Sequence, residues 1–525
     1  KQGVATIYEY DIYNNKVKET KPNGAIYTYE YDDANRNVKT SVNLDGDIKV
    51  LEEKSYVYSG GSKVITSKKY KDDTTYSTYI DRYNANDDIT SKELENSTYK
   101  KVYSNTYKVL SETNEIGKRT YYNYDNLDRL VKKYEEVETD LYKITKYEYD
   151  LVGNVIKEYT SKEKISNNAE AENYIITTYE YDNANNLVKT TTSSGEEIIY
   201  TYDGDNNKIK DKIKISDGNY KETDYEYNYA GKVTKKIEHV DKNSIYDFDN
   251  NVVSENEEEN KIDIVTRYEY DGQNNLIKEI LPSNEENSYK YNEYKYDKNG
   301  RQLKKDLYVR EEPSQDDDIW GPVYVDRKMS ESKAYDISGN VTSIQRKAYA
   351  ISDVTYSYNK LNQKVMETDS KFHNTEYEYD LLGNLKIEKM PLNAVIMVGE
   401  NPKYQKVLYE YNNLNQKIRK TQIYTEGEQA EERIGTITDY EYDKCGNLIK
   451  ETINGNVTAY TYNKEGKVTK EIDANGNAKT YEYDALQNVT KVIDAKGVST
   501  NYTYDDRNNL LKVDIDGVVQ EENSY

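Results

Sequence analysis

The sequence predicts an all-β fold in which tandem β-hairpins join into one long antiparallel sheet. Three observations predict it: a Tyr-x-Tyr motif that recurs along the chain, a short loop containing Gly or Asn after most copies, and only six prolines in 525 residues. Hydrophobic residues make up only 35% of the chain and mean hydropathy is −1.06, which is typical of disordered proteins. Tyrosine overrides that signal, because its 60 rings supply the apolar area that the aliphatic residues lack.

Each repeat unit begins with a strand that carries two tyrosines on one face. The two rings are two residues apart, so they share a face of a strand, whereas on a helix they would point in different directions. Neighbouring copies between Tyr440 and Tyr502 start about 20 residues apart, which is the period of a supersecondary unit. The motif Tyr-x-Tyr-Asp/Asn starts at Tyr8, Tyr29, Tyr122, Tyr147, Tyr179, Tyr200, Tyr225, Tyr268, Tyr294, Tyr356, Tyr377, Tyr409, Tyr440, Tyr460, Tyr481 and Tyr502.

A three-residue loop follows the tyrosine strand, and its last residue is usually Gly or Asn. Both residues tolerate positive φ, as a type I turn followed by a left-handed residue requires. The predicted left-handed positions include Gly153, Gly383, Gly446 and Gly466, with Asn35, Asn185, Asn274, Asn362, Asn415 and Asn508 in other copies. Gln487 breaks the pattern, so we expect strain in its loop. We predict that the Asp opening each loop accepts Asx-type hydrogen bonds from the turn backbone.

The turns that lead from one hairpin to the next often read Asn-Gly or Asp-Gly. These dipeptides favour type I′ turns, so the chain reverses again and enters the next tyrosine strand. Five such pairs occur, beginning at Asn23, Asp45, Asn454, Asn475 and Asp516. The chain is therefore expected to form a continuous meander.

The tyrosines are predicted to form a structural ladder on one face of this sheet. If Asp443 and Asn447 close their loop, Tyr442 lies opposite Leu448 and Tyr440 lies opposite Lys450. Each ring then covers an aliphatic side chain or a lysine stem, with some cation–π attraction. In the last four motifs the predicted ladder consists of Tyr440, Tyr442, Tyr460, Tyr462, Tyr481, Tyr483, Tyr502 and Tyr504.

Charge and reactive residues exclude several classes of function. The net charge of −23 disfavours nucleic acid, since binding a polyanion needs excess Lys and Arg. One cysteine, Cys445, and two distant histidines, His239 and His373, provide little for a zinc site or a nucleophile–His pair. We therefore predict no catalytic residues, no metal, no cofactor and no enzymatic activity. No apolar run is long enough for a membrane span.

The segment 305–330 is predicted to be a loop inserted within the array. It contains the only tryptophan, Trp320, between Pro313 and Pro322. On a protruding loop, Trp320 is a candidate partner-binding residue. The alternative is that Trp320 packs this loop onto the sheet, and the sequence favours that alternative.

The recurring unit resembles the YD-repeat or RHS-repeat family of bacterial surface and toxin-delivery proteins and teneurins. The resemblance is carried by segments such as YEYDLVGNVIK (147–157) and YEYDKCGNLIK (440–450), and it covers nearly the whole chain. It implies one spiralling sheet, either a YD shell or an open curved β-ribbon. Residues 1–525 are then a single YD-repeat array and a fragment of a longer chain.

The resemblance also implies a function and a location. It suggests a non-enzymatic scaffold, secreted or at the cell surface, that forms part of a shell around a toxic domain of the same polypeptide lying outside this segment. The alternative is an adhesin that binds a cell-wall glycan or a surface protein through its inserted loops, with Trp320 foremost.

Overall fold

A computed structural model describes residues 5–94, 97–166, 169–216, 218–241, 261–282, 289–311, 325–348, 350–392, 403–426, 432–505 and 508–523. These residues form 42 strands in a single sheet, and they contain no helix.

The strands in the first half of the chain are β1 (Ile7–Tyr10), β2 (Lys16–Thr20), β3 (Ile26–Tyr31), β4 (Asn37–Leu44), β5 (Asp47–Ser59), β6 (Ser62–Tyr70), β7 (Tyr76–Tyr83), β8 (Ile89–Leu94), β9 (Ser97–Tyr103), β10 (Val109–Thr113), β11 (Arg119–Tyr124), β12 (Leu130–Glu138), β13 (Leu141–Tyr149), β14 (Val155–Ser161), β15 (Ile165–Ser166), β16 (Tyr174–Tyr181), β17 (Leu187–Thr192), β18 (Glu197–Tyr202), β19 (Lys208–Ser216), β20 (Asn219–Tyr227) and β21 (Val233–Asp241).

The strands in the second half are β22 (Lys261–Tyr270), β23 (Leu276–Leu281), β24 (Tyr289–Tyr296), β25 (Gln302–Glu311), β26 (Val325–Tyr335), β27 (Val341–Lys347), β28 (Ile351–Tyr358), β29 (Lys364–Thr368), β30 (Asn374–Tyr379), β31 (Leu385–Pro391), β32 (Lys403–Tyr411), β33 (Lys417–Glu426), β34 (Arg433–Tyr442), β35 (Leu448–Ile453), β36 (Asn456–Tyr462), β37 (Val468–Ile472), β38 (Ala478–Tyr483), β39 (Val489–Ile493), β40 (Ser499–Tyr504), β41 (Leu510–Ile515) and β42 (Val518–Glu522).

The sheet is the predicted antiparallel meander. Each strand pairs with the next one in the chain, as in β34–β35 and β35–β36, so the all-β hairpin prediction is confirmed. One irregularity occurs at β15, a two-residue strand that pairs with β13 while β14 pairs directly with β16. Among the described residues, Ile144, Ile165 and Ala171 form a small cluster of buried apolar side chains.

The register within a hairpin differs from the prediction by one residue. Tyr442 lies opposite Leu448 as predicted, but Tyr440 lies opposite Glu451, so the predicted pairing of Tyr440 with Lys450 is wrong. The cause is a β-bulge next to the loop, which places one extra residue in the second strand. Lys450 consequently faces Glu441 on the opposite side of the sheet and forms an ion pair of 2.7 Å with it.

The sheet winds so that later hairpins lie against earlier ones. The turn after β2 meets the loop after β28, 26 strands further along the chain, where Asn23 Nδ2 donates to Lys360 O at 3.0 Å. The same offset recurs between the turns after β6, β8 and β10 and the loops after β32, β34 and β36. These contacts are regular, so the sheet is a spiral, and we call residues before 350 its first turn and later residues its second turn.

The predicted insertion at 305–330 is narrower than expected. Residues up to Glu311 belong to β25 and residues from Val325 belong to β26, and these two strands pair from Lys304 with Ser332 to Glu311 with Val325. Both ends of the predicted insertion are therefore part of the sheet. Trp320, Pro313 and Pro322 lie outside the described residues.

Candidate functional site at the tyrosine face and the seam

The second tyrosine of most motifs bonds its hairpin to the preceding one. Its hydroxyl donates to a backbone carbonyl that starts the second strand of that hairpin, as Tyr442 does to Lys417 O at 2.8 Å and Tyr462 to Leu448 O at 2.6 Å. The same bond is made by Tyr31, Tyr56, Tyr103, Tyr124, Tyr149, Tyr181, Tyr202, Tyr227, Tyr270, Tyr296, Tyr335, Tyr358, Tyr411, Tyr483 and Tyr504. Phenylalanine has no such donor, which explains why the chain holds 60 Tyr and only two Phe.

The first tyrosine of the motif often donates its hydroxyl to a carboxylate of the preceding hairpin. Tyr179 reaches Glu158 at 3.2 Å and Tyr409 reaches Glu388 at 3.1 Å. Burial, with the nearby carboxylate, raises the pKa of both phenols to about 12, so they remain donors at neutral pH. The same face therefore alternates rings with half-buried carboxylates.

The other first tyrosines of the predicted ladder lie on the same face. Lysine ammonium groups lie over the rings of Tyr440 (from Lys417, 4.8 Å) and Tyr481 (from Lys479, 5.1 Å). In the register, Tyr460 lies opposite Glu471 and Tyr502 lies opposite Val513.

Glu19 is the most enclosed of the carboxylates that accept a tyrosine hydroxyl. Only 5% of Glu19 is exposed, and it accepts hydrogen bonds from Tyr29 at 2.9 Å and Lys16 at 2.7 Å and pairs with Lys21. Burial alone would raise its pKa, but these partners outweigh burial and lower the pKa to about 2.

Replacing Glu19 with Gln is expected to remove an acid-sensitive part of the stability of this region. The folded-state pKa lies below the ordinary value of 4.5, so the stabilisation is complete above about pH 4.5 and is lost as pH falls towards 2. Amide exchange of residues 16–31, measured across this range for the wild type and Glu19→Gln, checks it. A difference between the two proteins that does not change with pH would contradict this assignment.

The loops after the tyrosine strands have the predicted Asx geometry. Asp443 Oδ1 accepts hydrogen bonds from the backbone of Cys445 and Asn447, both at 2.9 Å, and Asp443 Oδ2 accepts from Asn447 Nδ2 at 2.8 Å. The predicted left-handed glycines Gly153, Gly383, Gly446 and Gly466 have φ of 105°, 91°, 90° and 76°.

Asparagine at the left-handed position has a role that sequence reasoning missed. The side chain of Asn185 accepts a hydrogen bond from Asn154 of the preceding loop at 3.2 Å, and Asn508 accepts one from Asn488 at 2.8 Å. Gln487, with φ of 69°, replaces Asn in this role and accepts from Asn463 at 2.9 Å. The recurrence of Asn at both positions was the signal that could have revealed this loop-to-loop chain of amides.

Replacing Gly446 with Ala is expected to lower the local free energy of unfolding by about 1–2 kcal/mol, because an L residue is strained at this φ. Gly446→Asn is the matched control and should cost less, since asparagine occupies the same position in other loops. Amide exchange of the β34–β35 hairpin measures both effects. Equal protection in the alanine variant and the wild type would show that the loop tolerates another conformation.

A second functional surface is the seam between the two turns of the spiral. We define the loop rim as the edge formed by loops that follow tyrosine strands, and the return rim as the edge formed by the turns between hairpins. At the seam, the loop rim of the second turn lies on the return rim of the first. The seam includes an ion pair of 2.7 Å between Lys118 and Glu465 and a 2.6 Å hydrogen bond from Ser77 Oγ to Asn413 O.

The seam is tightly packed at several points. Ser77 is fully buried, and Val137, whose carbonyl accepts the backbone N–H of Lys464 at 3.3 Å, is 1% exposed. The backbone N–H of Leu381 donates to Lys71 O at 2.9 Å. Backbone groups of one turn thus bond directly to the other, so the two turns form one continuous wall.

No group of three or more His, Cys, Asp and Glu capable of holding a metal is present among the described residues. The acidic segment that starts at Asp203 is an ordinary loop, in which Asp203 accepts hydrogen bonds from Asp205 and Asn207. Within the described ranges no helix is long and apolar enough to cross a membrane.

Comparison with known protein families identifies the repeat. Residues 462–499 and 483–519 match the model of the RHS repeat family. Residues 462–519 carry RHS repeats. These residues have the same tyrosine strand, Asp-closed loop and hydroxyl bond to the preceding hairpin that occur in earlier hairpins, as Tyr483 and Tyr149 show. The earlier hairpins therefore have the same geometry as the residues that match the RHS repeat.

Several solved structures are similar to this chain. TcdB2-TccC3-Cdc42 is 12% identical over 94% of this chain and 34% of that chain, with a TM-score of 0.28. TcdB2-TccC3 is 12% identical over 98% and 33%, with a TM-score of 0.29, and the Photorhabdus luminescens Tc holotoxin pore is 11% identical over 96% and 32%, with a TM-score of 0.30. The chain spans about a third of the length of these chains. No curated protein matches it.

The predicted adhesin has no support from these observations. Its candidate anchor, Trp320, lies outside the described residues. None of the comparisons points to a glycan or to a cell-surface partner.

Proposed function

We propose that this chain is a non-catalytic scaffold that forms part of the wall of a hollow RHS-type shell in a secreted protein. The observation that carries the proposal is the seam. A curved ribbon with free edges cannot retain anything, whereas a spiral whose turns are bonded to one another forms a continuous wall. Lys118–Glu465 and Ser77–Asn413 are among the bonds that close it.

The dimensions of the spiral support an internal space. A turn of 26 strands spaced ~4.8 Å apart has a circumference of about 120 Å, which corresponds to a tube about 40 Å across, and more if the strands tilt. Side chains pointing inwards reduce this by about 5 Å on each side. The remaining space is wide enough for another polypeptide.

The proposed content of the shell is a toxic domain of the same polypeptide, lying outside this segment. The RHS repeats and the continuous wall support enclosure, and the net charge of −23 further suggests that a basic segment would be held inside most favourably. Enclosure by a wall needs no catalytic group.

Electron microscopy of the purified chain tests the proposal. The expected result is a short hollow tube about 40 Å or more across, with a dark centre in negative stain. A flat or open ribbon would overturn the shell proposal. For the content, the longer polypeptide is compared with and without its flanking domain, and internal density is expected only when that domain is present.

A further inference from the structure

One of the two histidines of the chain lies where three strands meet. His239 is in β21, on the face of the sheet opposite the tyrosines, and in the register it pairs with Glu222 of β20 and with Asp263 of β22. Its ring contacts a carboxylate on each side. Nδ1 lies 2.6 Å from Asp263 Oδ1, and Nε2 lies 3.1 Å from Asp224 Oδ2. One imidazole therefore connects the two strands that flank its own.

These two contacts fit a doubly protonated ring. An ionised carboxylate can only accept hydrogen bonds, whereas a neutral imidazole has one N–H and one nitrogen without a proton. In the neutral form, one ring nitrogen of His239 would place its lone pair against a carboxylate oxygen. The imidazolium donates on both sides, so only the charged form satisfies Asp224 and Asp263 together.

The charges around the ring also favour the imidazolium. The register and the contacts place three carboxylates around it, those of Glu222, Asp224 and Asp263. Lys210 Nζ lies 3.1 Å from Asp224 Oδ1, and Lys212 Nζ lies 2.9 Å from Glu222 Oε1. Three negative and two positive charges leave a net charge of −1 while the ring is neutral and 0 once it is protonated.

The next positions along the same strands do not change this balance. Asp241 and Lys261 pair in the register and carry opposite charges, and the other adjacent pair, Ile237 with Val265, carries none. Tyr220 of β20 donates its hydroxyl to a carboxylate of β18 at 2.7 Å, and this hydrogen bond raises the phenol pKa, so Tyr220 stays neutral. The ring of His239 is therefore the group whose charge changes near neutral pH.

We propose that protonated His239 links β20, β21 and β22, and that this link weakens when the ring loses a proton. Loss of one proton turns one of the two hydrogen bonds into a repulsive contact. Burial opposes protonation, but the hydrogen bonds to Asp224 and Asp263 outweigh it and raise the pKa of His239 above 6.5. The stabilisation is therefore complete below about pH 6.5 and is lost as pH rises through the raised pKa.

The His239 link responds to pH in the opposite sense to Glu19. Glu19 loses its stabilising effect in acid, whereas the link weakens as the solution becomes alkaline. If the chain forms the shell wall proposed above, β20–β22 is a sector whose strength is regulated by pH near neutrality. That regulatory role rests on the proposed function, but the link itself does not.

NMR of the purified chain, with isotope label in its histidine rings, tests the protonation of the link. The chain has only two histidines, so His373→Gln identifies the ring signals of His239. His373 bonds to Asp369 at 2.9 Å within its own turn, and its substitution leaves the link intact. His239 is expected to titrate above pH 6.5, and Asp263→Asn should lower its pKa because one of the two carboxylates is lost.

Hydrogen exchange at about pH 6 and about pH 8.5, corrected for intrinsic exchange rates, measures the effect on the sheet. Amides of β20–β22 are expected to be severalfold more protected at the lower pH. His239→Gln cannot gain a proton and should lose this difference, whereas His373→Gln is the matched control and should keep it. Asp263→Asn changes an exposed side chain, so it tests the link even if His239→Gln does not fold.

Two results would overturn the proposal. One is a pKa of His239 at or below 6.5, and the other is a pH dependence of β20–β22 that persists in His239→Gln. The link and the shell can fail separately. An open ribbon in the microscope, with His239 titrating as expected, would overturn the shell alone. A hollow tube in which His239 has an ordinary pKa would overturn the link alone.

Discussion

Replacing Tyr442 with alanine is expected to lower the free energy of unfolding of its hairpin by about 2–4 kcal/mol. The substitution removes a half-buried ring and also leaves Lys417 O without the hydroxyl that bonds to it at 2.8 Å. In a repeat array each unit is stabilised mainly by its neighbours, so the loss should be local to the hairpins around β33 to β35. Hydrogen exchange followed by mass spectrometry resolves this region from the rest.

Two further variants separate the contributions to this effect. Tyr442→Phe keeps the ring and loses only the hydrogen bond, so a loss of about 0.5–1.5 kcal/mol is expected. Tyr229→Ala removes a ring that is fully exposed at a loop tip, and it should leave stability unchanged. A loss below about 0.5 kcal/mol for Tyr442→Ala would mean that the tyrosine face contributes little to stability.

The double substitution Leu381→Asp with Leu382→Asp is expected to open the seam. It places two charges in a half-buried loop next to the bond from Leu381 N to Lys71 O, and burying an unpaired charge costs several kcal/mol. The strands themselves should remain paired, because Leu381 and Leu382 lie in the loop beyond the end of β30. Small-angle X-ray scattering is expected to show a larger radius of gyration with unchanged β circular dichroism.

The chain contains its own control for this experiment. Leu151→Asp with Val152→Asp changes the equivalent loop on the loop rim of the first turn, where both side chains are exposed, so the dimensions of the monomer should not change. If both double variants behave like the wild type, the winding does not depend on the seam. If both double variants increase the radius of gyration, the substitutions disturb their own hairpins, and the effect does not come from the contact between turns.

Local structure was largely predictable because each hairpin is specified by neighbouring residues. The spacing of Tyr440 and Tyr442 determined the strand face, and Asp443 with Gly446 determined the loop. The prediction missed the bulge that pairs Tyr440 with Glu451, because the motif contains no residue that indicates an extra residue in the second strand. It also missed the bond from Asn154 to Asn185, because loops 31 residues apart become neighbours only in the folded sheet.

The sequence by itself determined the class of fold, the hairpin unit and the reason for so much tyrosine, since these follow from contacts within one or two repeats. Only the tertiary structure decided that the sheet closes on itself along a seam. Contacts such as Lys118–Glu465 join residues 347 positions apart, and their partners depend on the small twist and curvature that each hairpin adds over 26 strands. A local motif does not determine this accumulated twist and curvature. Leu151 and Leu381 therefore lie in nearly identical sequences but in different surroundings.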